Sequence, residues 1–193
     1  MRGLTGSIAT GKSTVAKILR QHGAVVIDSD QIAKEVIEPG TDGWIEVKKH
    51  FPEVIGLDQK VNRKKLAEII FDNIKRRRLL EGIIHPLVIT RIKAEGRYLE
   101  NLGKIVFVDM PLLYETNSQL WLEEVWVVYI PLKLQLQRLM IRDNLSESEA
   151  LKRINAQISI EEKRKLADYV IDNSGSLDNT KEQVDKLWYQ VIR

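Results

Sequence analysis

The chain has no cysteine among its 193 residues. That excludes disulfides, thiolate metal sites and a cysteine nucleophile, and it suits a reducing compartment, so the expected location is the cytoplasm. Long apolar runs are missing as well. The longest strongly hydrophobic stretch, Val125 to Leu132, falls far short of the ~18 residues that mark a membrane-spanning helix. Met1 to Thr5 leads directly into a glycine-bearing turn and gives no sign of a signal peptide, so no membrane association is expected. There are no repeats, linkers or low-complexity tracts. Nor does one sign of charge dominate: 30 Lys and Arg face 27 Asp and Glu, a formal net charge of +3. That small excess suits nucleic acid and polyanionic small ligands alike and selects neither. With 44% hydrophobic residues, the chain carries enough apolar surface for one self-folding enzyme-sized domain with a satellite subdomain.

Short β-branched runs alternate with helical patterns, which predicts an α/β fold with a parallel sheet. Strands are expected at Met1 to Thr5, Ala24 to Ile27, Lys104 to Val108, Glu124 to Ile130 and Tyr169 to Ile171, the first with a frayed start. Several are apolar throughout, as strands covered on both faces are. After Gly11, the residues Val15, Ile18 and Leu19 follow helical spacing, and Gly23 is a stop signal. From Gln31 to Gly103 runs a long helical stretch, predicted to break and restart at Pro86, whose length makes it a subdomain. A second helical insertion, Leu132 to Leu166, carries two capping-box patterns, Ser146 to Glu149 and Ser159 to Glu162, and has the look of a lid. Val184, Leu187, Trp188 and Val191 predict a last helix packed on the sheet.

The strongest chemical signal is Gly6-Ser7-Ile8-Ala9-Thr10-Gly11-Lys12-Ser13, a complete G-x-x-x-x-G-K-[ST] phosphate loop placed after a strand and before a helix. Gly6 and Gly11 can take backbone conformations that let successive N–H groups, through Ala9, Thr10 and Gly11, converge on phosphate oxygens at a helix start. Lys12 would reach the β- and γ-phosphates of ATP, the Ser13 hydroxyl would ligate Mg²⁺, and Thr14 would add a contact to the inner phosphates. Asp28 and Asp30 end the second strand, where ligands of open parallel sheets bind. Asp30 is a candidate proton acceptor for an attacking hydroxyl; Asp28 can either help hold Mg²⁺ or cap the next helix. Asp109 ends the third strand, where a Walker-B-type acid binds Mg²⁺ directly or through water. Arg138 and Arg142, four residues apart on a predicted helix, suit charge stabilisation of a transferred phosphoryl group, with Arg153 as a third cation. The bland alternative is a solvated basic face paired with Asp143, Glu147 or Glu149. The run Lys75-Arg76-Arg77-Arg78 reads first as a solvated helix face, and His85 as a packed or capping histidine.

These elements come in a recognisable order. Gly3-Leu4-Thr5-Gly6, the phosphate loop, Val26-Ile27-Asp28-Ser29-Asp30, His85-Pro86 and Asp109-Met110-Pro111-Leu112-Leu113-Tyr114-Glu115 precede Arg138-Leu139-Met140-Ile141-Arg142, Gln157-Ile158-Ser159 and Ala167-Asp168-Tyr169-Val170-Ile171-Asp172-Asn173. Over essentially its whole length the chain resembles the dephospho-CoA kinases. The resemblance implies a five-stranded parallel sheet of P-loop NTPase type flanked by helices, with a core over residues 1–30, 104–142 and 167–193, a CoA-side helical subdomain over about 31–103 and a lid over about 143–166. It implies ATP-dependent phosphorylation of the ribose 3′-hydroxyl of dephospho-CoA, with Mg²⁺. By the same resemblance Asp30 matches the general base, Lys12, Arg138 and Arg142 the charge stabilisers, and Thr5, His85, Pro111, Leu112, Leu113 and Tyr114 the acceptor side. Asn173 to Gly175 would border the adenine of ATP. Ser7 and Ala9 stand where the family often has glycine, so a tighter backbone approach is expected at Ser7.

The nearest alternative is another P-loop kinase acting on a nucleoside or nucleoside monophosphate. A GTP-dependent switch would need an Asn-Lys-x-Asp motif, which is absent, and the one Asp-x-x-Gly, Asp172 to Gly175, comes too late. A nucleic-acid-remodelling ATPase is disfavoured by size and motif order, so no nucleic-acid partner is expected. The sequence does not set the oligomeric state.

Overall fold

The computed structural model describes residues 1–71 and 73–191. Five strands, β1 (Arg2–Thr5), β2 (Val25–Asp28), β3 (Val106–Asp109), β4 (Val125–Tyr129) and β5 (Tyr169–Asp172), form one sheet in the order β2-β3-β1-β4-β5. All five expected strands are present. Every residue of β3 and β4 is buried, which is why their sequences read as apolar runs, broken only by the Asp109 that closes β3. The parallel register pairs Leu4 with Asp109 and Thr5 with Val127, so β1 is central and ends beside the acid that closes β3. The start of β1 is not frayed, contrary to expectation. The Met1 carbonyl accepts from Glu123 N at 3.0 Å, Arg2 is in register with Phe107, and the Met1 side chain is buried.

The chain divides into two compact units, one built from Met1–Ile27 with Gly96–Arg193 and the other from Asp28–Glu95. In the first, helices α1 (Lys12–Gln21) and α9 (Leu177–Val191) pack on the sheet. Leu4, Phe107, Trp126, Val128 and Ile171 from the strands meet Val15, Ile18 and Leu19 of α1 and Val184 and Trp188 of α9. Each such burial contributes roughly 1.5–3 kcal/mol. Leu187 is partly buried against this core, and the expected Val191 contact falls outside the described side chains, as do residues 192–193 of the predicted core segment. Helices α6 (Leu132–Asp143), α7 (Glu147–Ile154) and α8 (Ile160–Leu166) belong to the same unit. Ser146 and Glu149 form the full capping box on α7. On α8 the Ser159 hydroxyl makes both bonds, accepting from Glu162 N at 3.2 Å and donating to its carboxylate at 3.1 Å.

The second unit contains α2 (Ser29–Glu35), α3 (Asp42–His50), α4 (Arg63–Phe71) and most of α5 (Ile74–Asn101). Its own core gathers Ile37, Val47, Phe51, Val54, Leu66 and Leu80. The predicted break at Pro86 is absent: α5 runs through the proline. An interior proline costs a helix about 3 kcal/mol. Leu80 before it and Val88 and Ile92 after it are all buried, and at roughly 1.5–3 kcal/mol each they outweigh that cost.

Candidate functional site

The phosphate loop leaves β1 at Thr5, whose buried hydroxyl donates to the Pro111 carbonyl at 3.3 Å. A side chain at Gly6 would have its Cβ 2.6 Å from Thr10 Oγ1 and 2.9 Å from the Val128 carbonyl, so strand packing alone requires glycine there. Ile8 is gripped from two sides. Its N–H donates to Gln157 Oε1 at 2.9 Å, and its carbonyl accepts from Gln135 Nε2 at 2.8 Å. Ala9 adopts φ 63°, the left-handed region that favours glycine. The strain of a side chain therefore falls at Ala9, whereas Ser7 is buried and donates to the Ile158 carbonyl at 3.3 Å.

Gly11 caps α1 at φ 87° and ψ 24°. A Cβ there would lie 2.0 Å from Asn173 Nδ2, so both conformation and space demand glycine. Asn173, 7% exposed, works as a clasp. Its amide donates to the Thr10 carbonyl at 2.8 Å and accepts from the Thr180 hydroxyl of α9 at 2.8 Å. Its main chain donates to the Tyr129 carbonyl at 2.9 Å and accepts from Arg138 of α6 at 3.1 Å. The side chain expected at the adenine thus holds the loop itself, while Gly175 is exposed in the turn before α9. Lys12 Nζ is ion-paired with the carboxylate of the buried Asp109. Ser13 is exposed and Thr14 half-buried in the first turn of α1.

The two arginines expected to act together have separate partners. Arg138 lies against the loop through Asn173, whereas Arg142 donates to both oxygens of Asp143 at 2.8 and 3.1 Å. Arg153 joins the same carboxylate at 3.0 Å. The Arg142 hydrogen bond and charge hold Asp143 below the usual carboxylate range and raise Arg142 in turn. The paired surface reading therefore describes Arg142 in this structure.

On the turn after β3, Leu113 has no exposure, Tyr114 is buried and Leu112 is exposed. The Tyr114 hydroxyl finds no hydrogen-bond partner among the described residues. Burial, reinforced by the negative charge of Asp168, pushes its ionisation up to about 12. In the second unit, Asp28 caps α2 through Asp30 N at 2.9 Å and Gln31 N at 3.1 Å. Asp30 is exposed in the first turn of that helix, and His85 is half-buried on α5. Arg76 of the basic run is structural: it donates to the His50 carbonyl at 3.1 Å, pairs with Glu53 at 2.7 Å and lies over the Phe51 ring.

Sequence reasoning missed Gln135 as a holder of the loop, and it missed Lys163, whose side chain is fully buried. Neither has a local signal, since Gln135 and Ile8 are 127 positions apart.

A central parallel strand running into a phosphate loop, with a helix-capping glycine, a lysine and a strand-end acid around it, defines a P-loop nucleotide-binding protein. The dephospho-CoA kinase family model matches residues 1–179. Dephospho-CoA kinases of Listeria innocua and Carboxydothermus hydrogenoformans are 46% and 44% identical over 184 residues each, which is 94% of this chain and 92% and 89% of theirs. Among solved structures, the dephospho-CoA kinase from Campylobacter jejuni superposes with TM-score 0.77 at 33% identity, over 98% of this chain and 96% of that one. A Thermus thermophilus crystal structure reaches TM-score 0.86 at 36% identity, covering 100% of this chain and 97% of its own. The chain belongs to the dephospho-CoA kinase family. A shikimate kinase from Acinetobacter baumannii, at 16% identity and TM-score 0.54, shares the fold alone.

Proposed function

We propose that the protein transfers the γ-phosphoryl group of ATP to the ribose 3′-hydroxyl of dephospho-CoA, giving CoA and ADP, and does so in the cytoplasm. The observation that carries this reading is the Gly6 to Ser13 turn at the end of the central strand, with Lys12 and Asp109 paired beside it; family membership supplies the acceptor. No helix among the described residues is long and apolar enough to cross a membrane.

The amides around Gly11 and the start of α1 bind the polyphosphate, with the helix dipole in favour. Lys12 exchanges Asp109 for the β- and γ-phosphates. Ser13 and Asp109 are hard oxygen donors and suit Mg²⁺, which takes one or two protein ligands alongside phosphates and water. Such a site does not need three acidic or imidazole side chains together, and no such group occurs among the described residues. When bound, Mg²⁺ supplies neutralisation of the phosphate charge. Asp30 accepts the proton of the attacking hydroxyl, a role resting on its place just past β2 and on the family resemblance. Arg138 and Arg142 offset charge on the transferred group, Arg142 by leaving Asp143 as the 143–166 lid closes. Thr5, His85 and the Pro111 to Tyr114 turn serve the acceptor, and Asn173 to Gly175 border the adenine.

A coupled assay of ADP release tests the proposal, with dephospho-CoA set against a panel of nucleosides and nucleoside monophosphates. Turnover is expected with dephospho-CoA; activity confined to the panel would refute the acceptor.

A further inference from the structure

Lys163 lies in α8 with its side chain fully buried, and none of the phosphate chemistry above uses it. Its ammonium donates to the Pro111 carbonyl at 2.7 Å and to the Glu115 carboxylate at 3.0 and 3.2 Å. Burial lowers its pKa, and the hydrogen bond and charge of Glu115 oppose that shift. A buried pair of this kind adds little net stability, and an apolar side chain of similar volume serves a core as well or better. What the ammonium adds is direction, because it fixes a carbonyl and a carboxylate at once. Glu115 in turn accepts from Ile158 N at 2.9 Å, and the Pro111 carbonyl also takes the Thr5 hydroxyl at 3.3 Å. The Ile158 carbonyl takes the Ser7 hydroxyl at 3.3 Å, and the adjacent Gln157 holds Ile8 N at 2.9 Å. The contacts therefore run from α8, through the turn after β3, to the first half of the phosphate loop. Pro111 is also two residues past Asp109, the partner of Lys12.

We infer that Lys163 is a positioning residue. With Glu115 it forms a strut that holds the turn after β3 and the α7–α8 connection against the phosphate loop, keeping Asp109 and the Ser7–Ile8 segment in one geometry through the reaction. The inference rests on the kinase reading given above. Under it α8 is the fixed end of the 143–166 lid, and the closing movement is carried by residues 144–156.

Lys163→Met keeps the length and apolar bulk and removes the ammonium. Steady-state turnover is measured with ATP and whichever acceptor the wild type uses, at a temperature well below each variant's melting point by circular dichroism. Lys163→Met is expected to lose about 10-fold to 10²-fold in kcat, the scale on which small misplacements act, while the Kd of a non-hydrolysable ATP analogue stays within about 3-fold. Glu115→Gln should lose kcat in the same direction, and the double variant should be no slower than the slower single, since the two residues act as one unit. A Lys163→Met protein that melts lower yet turns over at the wild-type rate would show a core residue only and overturn the strut. If Lys163→Met does not fold, the near-isosteric Glu115→Gln decides: wild-type kcat in the folded variant overturns the proposal equally. A wild type silent on dephospho-CoA but active elsewhere on the panel sinks the acceptor assignment, and the variant-to-wild-type ratio on the active acceptor still reads the strut.

Discussion

Gly11→Ala, made once with Asn173 present and once in an Asn173→Ala background, measures how the phosphate loop is held. Alanine at φ 87° costs about 1–2 kcal/mol from the left-handed conformation alone. With Asn173 in place, the new Cβ would also stand 2.0 Å from Nδ2, so the amide must swing away and abandon the buried Thr10 carbonyl it holds at 2.8 Å. Leaving that carbonyl unsatisfied adds about 1–3 kcal/mol, for a total of about 2–5 kcal/mol. Asn173→Ala alone leaves the Thr10 carbonyl without its partner, a loss of about 1–3 kcal/mol, while the Thr180 hydroxyl keeps the Ser176 carbonyl at 3.2 Å as an acceptor. In that background Gly11→Ala meets no amide, and only the dihedral cost remains. The double variant should therefore be less destabilised than the sum of the singles by about 1–3 kcal/mol. Urea denaturation of the four proteins reads the cycle, and calorimetric titration with ATP reports whether nucleotide affinity follows it. Additivity within about 0.5 kcal/mol would show that Gly11 and Asn173 do not share a constraint, and the clasp would be wrong.

Asp30→Asn should lower kcat by about 10²- to 10⁴-fold with ATP affinity nearly intact, and an unchanged kcat in the coupled assay would remove Asp30 as the base. Arg142→Ala should depress turnover more than ground-state ATP binding, because its exchange of Asp143 for the phosphoryl group comes with closure; an effect on KM alone would contradict this. Tyr114 keeps its proton to about pH 12 when folded and only to about 10 when unfolded. Its stabilising effect is therefore complete below pH 10 and lost as pH rises through about 12. Tyr114→Phe should flatten the alkaline loss of stability, followed by tyrosinate absorbance and circular dichroism together, and an identical alkaline transition would refute the burial argument. Pro86→Ala restores an interior helical hydrogen bond in α5 and should raise stability by about 1–2 kcal/mol, after allowance for a looser unfolded chain. A lower melting temperature would mean that the proline is adapted to its site.

Much of this architecture could be read from residue order. β3 up to its closing Asp109 and β4 throughout are apolar because both faces are covered, and Val15, Ile18 and Leu19 sit at the spacing that turns them to one core. The phosphate loop was legible because its chemistry is carried by backbone shape, which glycine spacing encodes locally. Pro86 misled because a local breaker signal was outweighed by burial on both sides of it. Arg138 and Arg142 share helical spacing, yet Asp143 captures one of them, and spacing carries no information on which neighbour wins. Gln135, Gln157, Lys163 and the clasp of Asn173 were invisible for a different reason. Hydrogen bonds between residues 48 to 163 positions apart leave no periodic trace in either partner.

Because the Thr10 carbonyl is tied to Asn173 and Asn173 to Thr180, the ribosome makes the nucleotide-binding turn 163 residues ahead of its fastening. A growing polypeptide carries the full Gly6 to Ser13 motif long before this clasp, and it can grasp ATP firmly only once the stretch through Thr180 has emerged. Incomplete translation products should neither sequester the cell's nucleotide nor spend it.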